Sequence, residues 1–195
     1  DELPLTHLSI TYPGLPRGHP QYVTLRVLER LLGGGGSFSA GGPGKGMYAR
    51  LYTTVLNRYY WMESAKCFTA AFSNDGLLGI HGSAPISYAR DLARIMNQAL
   101  LDAAARPITD EELDRAKAQL KSAAFMDGEG RLGQLDDVSE QVIHTKSVML
   151  PAQFGEAVDK VTGKDIQDLV RTLVSNRKPT IAVFGQTANL PPISV

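Results

Sequence analysis

The segment from Gly33 to Gly46 constrains this chain more than any other: eight of its fourteen residues are glycine, and four of them, Gly33 to Gly36, are consecutive. Glycine has the most backbone entropy to lose on ordering and offers no Cβ to pack, so such a run is not expected to hold one regular conformation. It lies between two apolar helical patterns, Tyr22 to Leu32 and Met47 to Leu56. The expectation is a mobile loop whose benefit is either motion or a close approach of backbone to a ligand, with an indifferent linker as the plain alternative. Its lysine invites a phosphate-binding reading, which fails on spacing. Counting back from Gly44-Lys45 puts Ser39 where a P-loop needs its first glycine and Gly46 where it needs a hydroxyl, and the preceding residues read as helix rather than strand.

The length, 195 residues, suits one domain able to bury about 70% of its unfolded surface. Twenty basic and twenty acidic residues cancel, and no basic block is present, so the footprint of a nucleic-acid binder is missing. The lone Cys67 excludes an internal disulfide and reads as a buried thiol. No apolar stretch approaches the length of a bilayer span, so the reading is a soluble domain.

Alternation over Leu5 to Tyr12 predicts a strand, and helical spacing over Pro20 to Leu32 and over Gly46 to Asn57 predicts helices on either side of the glycine segment. Tyr59 to Phe72 and Gly76 to Ala84, joined by the turn sequence Ser73-Asn74-Asp75-Gly76, predict a hairpin that pairs with the first strand. Pro85 to Ala105 predicts one helix. Thr109-Asp110-Glu111-Glu112 reads as a capping box opening another that runs to about Ala124. Asp127 to Gly130 interrupts it before an amphipathic pattern over Leu132 to Thr145. Pro151 to Val161 and Gly163 to Val174 predict two shorter helices, the second capped by Thr162, and Thr180 to Phe184 a last strand ended by Gly185. Terminal strands, a central hairpin and helices between them describe an α+β domain.

Chemistry is hard to find in these residues. His7, His19, His81 and His144 are far apart in sequence, the zinc signature His-x-x-Glu-His is absent, and a protein zinc site is not expected. His7 and His81 fall on the outward parity of their strands and read as surface positions. Nothing resembles the Gly-x-Ser-x-Gly elbow, and Asp110, Glu111, Asp114, Asp136 and Asp137 read as solvated helix faces or favourable helix starts.

The block from Gly33 to Leu51 closely resembles the glycine-rich loop of the mitochondrial processing peptidase α subunits, non-catalytic members of the M16 peptidases. Asn57-Arg58, Asn74-Asp75-Gly76-Leu77-Leu78-Gly79-Ile80, Leu113-Asp114-Arg115-Ala116-Lys117 and Leu190-Pro191 extend the likeness over nearly the whole chain. The resemblance implies a mostly antiparallel sheet covered on one face by helices, with residues 1–195 forming one M16 carboxy-terminal-type domain and the amino-terminal half of the subunit lying outside this sequence. It implies a location in the mitochondrial matrix, with the matrix side of the inner membrane as the alternative. The implied partners are a zinc-bearing β subunit and the presequences of imported precursors, and no cofactor is expected in this chain itself. The implied substrate-binding segment is Gly33, Gly34, Gly35, Gly36, Ser37, Phe38, Ser39, Ala40, Gly41, Gly42, Pro43, Gly44, Lys45 and Gly46, with no catalytic residue. Catalytically involved M16 carboxy-terminal domains often carry an Arg and a Tyr where this sequence has Leu56 and Glu63, which argues against direct help in bond cleavage. The alternative that the resemblance leaves open is a core subunit of respiratory complex III with the same fold.

Overall fold

The computed structural model describes residues 5–36, 47–175 and 177–185. Its elements, in chain order, begin with β1 (Thr6–Pro13), α1 (Tyr22–Leu32) and β2 (Gly34–Gly36), followed by a π-helical turn at Tyr52–Leu56. The hairpin β3 (Ser64–Ala71) and β4 (Gly76–Ala84) leads through a 3₁₀ turn into α2 (Ala89–Ala105). Then come α3 (Asp110–Asp127), α4 (Arg131–Thr145), α5 (Pro151–Asp159), α6 (Gly163–Val174) and β5 (Thr180–Gly185).

The sheet runs β2-β3-β4-β1-β5 with every pairing antiparallel. The predicted pairing of the hairpin with the first strand is present, with Ile10 opposite Ile80 and Leu8 opposite Gly82. β5 lies on the other side of β1, with Leu8 opposite Val183. Period-two alternation sends Leu8, Ile10 and Tyr12 inward from β1, where they join Leu78 and Ile80 of β4 in the core. Three helices close that face: α1 through Leu25 and Leu28, α2 through Leu92 and Met96, and α6 through Ile166 and Leu169. Each leucine removed from water in this way contributes about 1.5–3 kcal/mol.

Local signals account for the helix boundaries. Thr109 Oγ1 accepts a hydrogen bond from the Glu112 backbone N–H at 3.3 Å, and the Thr109 N–H returns one to Glu112 Oε2 at 3.1 Å, so the predicted capping box is complete. Thr162 and Asp165 form the same reciprocal pair at the start of α6. The predicted interruption follows Asp127, and α4 begins after Gly130. Yet among the described residues none of α4 is buried: Leu132, Leu135 and Ile143 stand exposed. Polar contacts tie α4 to the rest of the domain, from Arg17 to Asp137 at 3.1 Å and from Ser73 to His144 at 2.8 Å.

Two details depart from the sequence reading. The single helix expected from Pro85 opens as a 3₁₀ turn at Ile86–Tyr88 before α2. The helix expected between Gly46 and Asn57 winds as a π-turn, with the Asn57 N–H reaching back five residues to the Tyr52 carbonyl at 2.9 Å. Two adjacent threonines sit in this turn, and Thr54 Oγ1 donates to the Arg50 carbonyl at 2.6 Å, a side-chain bond that competes with the regular helical ladder.

Candidate functional site

Helix α1 delivers the chain to the glycine segment, and its end is closed by the Gly33 N–H donating to the Glu29 carbonyl at 2.8 Å. Gly33 has φ 54° and Gly34 φ 102°, conformations that L side chains rarely adopt. Beyond them Gly34–Gly36 is β2, paired with β3 so that Gly34 faces Lys66, Gly35 faces Ala65 and Gly36 faces Ser64. The ladder begins one residue earlier, where the Cys67 N–H donates to the Gly33 carbonyl at 2.9 Å.

The expectation that the whole run lacks a regular conformation is therefore corrected for Gly34, Gly35 and Gly36. Pairing with β3 makes them a strand, and at Gly33, Gly34 and Gly35 the neighbours leave no space for a side chain. A Cβ on Gly33 would strike that of Ala49, one on Gly34 would strike the Ala65 carbonyl oxygen, and one on Gly35 would strike the Tyr52 hydroxyl. Gly33, Gly34 and Gly35 thus come close to β3, Ala49 and the π-turn of the same chain. Gly36 is already exposed. Ser37, Phe38, Ser39, Ala40, Gly41, Gly42, Pro43, Gly44, Lys45 and Gly46, which complete the predicted binding segment, lie outside the described residues, as does Leu190-Pro191.

On the return side of the segment, Arg50 fixes the chain to α3. Its guanidinium donates from Nε and Nη2 to the two carboxylate oxygens of Glu112, at 3.1 and 3.0 Å, and from Nη2 to the Pro107 carbonyl at 2.6 Å. Partial burial pushes the Glu112 carboxyl upward, but the hydrogen bonds from Arg50 and Thr109 and the Arg50 charge prevail and hold it below its ordinary value. Glu112 thus serves both as helix cap and as anchor, a fork-to-fork pairing that a lysine in place of Arg50 cannot reproduce. Beside this pair, between α1, the π-turn, α2 and the start of α3, lies an open cleft of about 420 Å³ whose walls include Leu32, Leu51, Thr54, Asp102 and Arg106.

The remaining candidates separate clearly. Cys67 is buried, and burial followed by the Glu29 charge pushes its thiol far up, so it is no nucleophile. Leu56 is in the core and Glu63 sits just before β3, where its N–H donates to the Ser83 carbonyl at 2.9 Å. Among the described residues no three His, Cys, Asp or Glu side chains converge as a metal site would require. What the sequence reading missed is that His7 and His81, far apart in the chain, stack with ring centroids 5.6 Å apart. The signal was available only as strand parity, and the register of β1 on β4 was needed to bring them together.

Comparison with known proteins gives this architecture a family. Residues 1–120 match the family model described as Peptidase M16 inactive domain. The chain is 39% identical over 189 residues to a probable mitochondrial-processing peptidase subunit alpha-1 of Arabidopsis thaliana, an alignment covering 95% of this chain and 37% of that protein. It is 37% identical over 187 residues to the mitochondrial-processing peptidase subunit alpha of Bos taurus, covering 96% and 35%, and 36% identical to a probable alpha subunit of Schizosaccharomyces pombe, covering 92% and 38%. The chain therefore spans well under half the length of these relatives. A chain of Complex III2 from Candida albicans, solved with Inz-5 bound, superposes with TM-score 0.86 over 98% of this chain and 45% of its own at 21% identity, which establishes the shared fold. The five-stranded antiparallel sheet with helices on its core face and the match of residues 1–120 to the inactive domain of that family together make this chain a member of the M16 peptidases.

Proposed function

We propose that this domain is the substrate-recognition part of a mitochondrial processing peptidase α subunit, holding presequences of imported precursors for a zinc-bearing β subunit to cut. The observation that carries the reading is the identity of 35–39% to proteins of that name over almost the entire chain, with the glycine segment inside the aligned region. The matched domain is described as inactive, consistent with a role in binding rather than cleavage.

The physics of β2 favours the reading in a specific way. β2 is an edge strand without side chains, so nothing on it selects for the residues of a visiting chain, and its backbone amides and carbonyls are suited to pairing with an extended polypeptide. Presequences differ in sequence, and main-chain recognition accepts such variety where a shaped pocket would reject it. Its anchoring at Gly33, Gly34 and Gly35 fixes the place on the sheet edge from which the rest of the segment departs.

The test uses the longer α subunit assembled with its zinc-bearing partner in the mitochondrial matrix setting. Replacing Gly41 and Gly42 by valine is expected to lower precursor processing about tenfold, with the melting temperature of the domain unchanged. Unchanged turnover would instead support the complex III core role, for which the fold likeness to the Candida albicans assembly is the observation in favour.

A further inference from the structure

Arg50 joins the π-turn to the helices. Its fork on Glu112 fastens it to the capped start of α3, and its bond to the Pro107 carbonyl fastens it to the connection between α2 and α3. That connection is held a second time, where Gln167 of α6 donates to the Arg106 carbonyl at 2.8 Å. The Arg50 carbonyl in turn holds the π-turn, accepting from the hydroxyls of Thr53 at 3.3 Å and Thr54 at 2.6 Å. Residues beside Arg50 carry this position to the sheet edge: Ala49 occupies the place of a side chain on Gly33, and the Tyr52 hydroxyl occupies the place of one on Gly35. A continuous path of contacts therefore runs from α3 through Arg50 and the π-turn to β2.

Stability is a weak reason for such a pair. The Arg50 side chain is 11% exposed and that of Glu112 26%, and among the described residues the buried Arg50 Nη1 has no hydrogen-bond partner. Desolvating two charges and leaving one nitrogen unmatched offsets much of what their attraction contributes. What the fork supplies in full is a fixed geometry, and the geometry it fixes is that of the turn on which β2 rests.

We propose that Arg50 is a positioning residue for substrate: by fixing the π-turn to α3 it sets how β2 is presented at the sheet edge, and so how tightly an extended precursor segment pairs there. The inference rests on the reading of β2 as the strand that receives the precursor. It calls for an effect on affinity and none on cleavage, because the strand that Arg50 seats binds the chain and takes no part in cutting it.

The test uses the whole α subunit assembled with its zinc-bearing partner and the variant Arg50→Lys, which keeps the charge and loses the fork. The Cys67 N–H, bonded to the Gly33 carbonyl, exchanges with solvent through local opening of β2, so its rate reports the seating of that strand and should rise about tenfold. KM for a labelled presequence peptide should rise about tenfold with kcat unchanged, whereas a loss of folded enzyme would lower apparent kcat and leave KM alone. Glu112→Gln should also raise KM, and the double variant should raise it by less than the product of the two single effects. Lys121→Gln, which removes the ion pair of α3 with Asp159 of α5, should change neither exchange nor KM. Unchanged Cys67 exchange in Arg50→Lys, a fall in kcat at constant KM, or independent KM effects in the double variant would each overturn the proposal. If exchange rises while KM stays constant, the variant Gly41→Val with Gly42→Val separates the two failures. Reduced processing by that variant leaves precursor recognition standing and refutes the part given to Arg50; normal processing refutes recognition by the glycine segment, and this inference with it.

Discussion

The two edges of the sheet are built on opposite principles. β5 is held by side chains: Ile181 and Val183 pack against the core, Ala182 and Phe184 face outward, and six residues pair with β1. β2 is held by the lack of them, Gly34 lying against the backbone of β3 and Gly35 against the Tyr52 hydroxyl of the π-turn. An edge defined by side chains tolerates changes on its outward face, whereas an edge defined by backbone contact tolerates almost none. That asymmetry matters for function because β2, the intolerant edge, leads into the segment proposed to receive substrate.

Substitutions at the two edges should therefore separate widely. The largest effect is expected for Gly34→Val, where a β-branched side chain meets both φ 102° and the Ala65 carbonyl; urea denaturation should show a loss of about 3 kcal/mol or more. A loss below about 1 kcal/mol would erase the contrast between the edges. Gly35→Ala should cost less, about 1–3 kcal/mol, because its obstacle is a side-chain hydroxyl. Adding Tyr52→Phe removes that hydroxyl, so the double variant should recover part of the loss, and strict additivity in the cycle would show that the contact is not the cause.

The anchor on the return side of β2 sets a pH dependence. Glu112 has a folded-state value below its unfolded one, so its contribution is fully present above the unfolded value, near 4.5, and is lost as pH falls through the folded value. Glu112→Gln should lower stability at neutral pH by about 1–2 kcal/mol and flatten the acid limb of the stability curve. An unchanged acid limb would show that Arg50 gains nothing from the charged form. Phe184→Ser on the tolerant edge should be the smallest change, within about 0.5 kcal/mol, since the ring is 67% exposed. A melting-temperature loss comparable to that of Gly35→Ala would mean that β5 is as constrained as β2.

Most of the architecture was legible because its signals are local. Leu8, Ile10 and Tyr12 alternate, Thr109 and Glu112 stand three apart, and Ser73 to Gly76 marks the hairpin, so strand, cap and turn each follow from residues within one short window. The π-turn was not legible, since Met47, Leu51 and Val55 satisfy an α-helical period equally well and only the hydrogen bonds of Asn57 and Thr54 distinguish the two. The amphipathic pattern of α4 is present, but a pattern reports which face is apolar and cannot report what covers it; here Leu135 and Ile143 remain exposed. In the candidate site, Gly33 to Gly36 were identified as special for the lack of a side chain, while the reason for Gly33 to Gly35, Ala49, Ala65 and Tyr52 pressing on the backbone, required contacts from three other elements.

By itself the amino-acid order determined the α+β class, the succession of strands and helices, and the likeness to the processing peptidase α subunits, because periodicity, caps and a long distinctive glycine run are properties of neighbouring residues. The tertiary structure alone decided that β2 is a strand and that His7 stacks on His81. Both depend on the register of strands far apart in the chain, where a slip of one residue would turn every side chain to the other face.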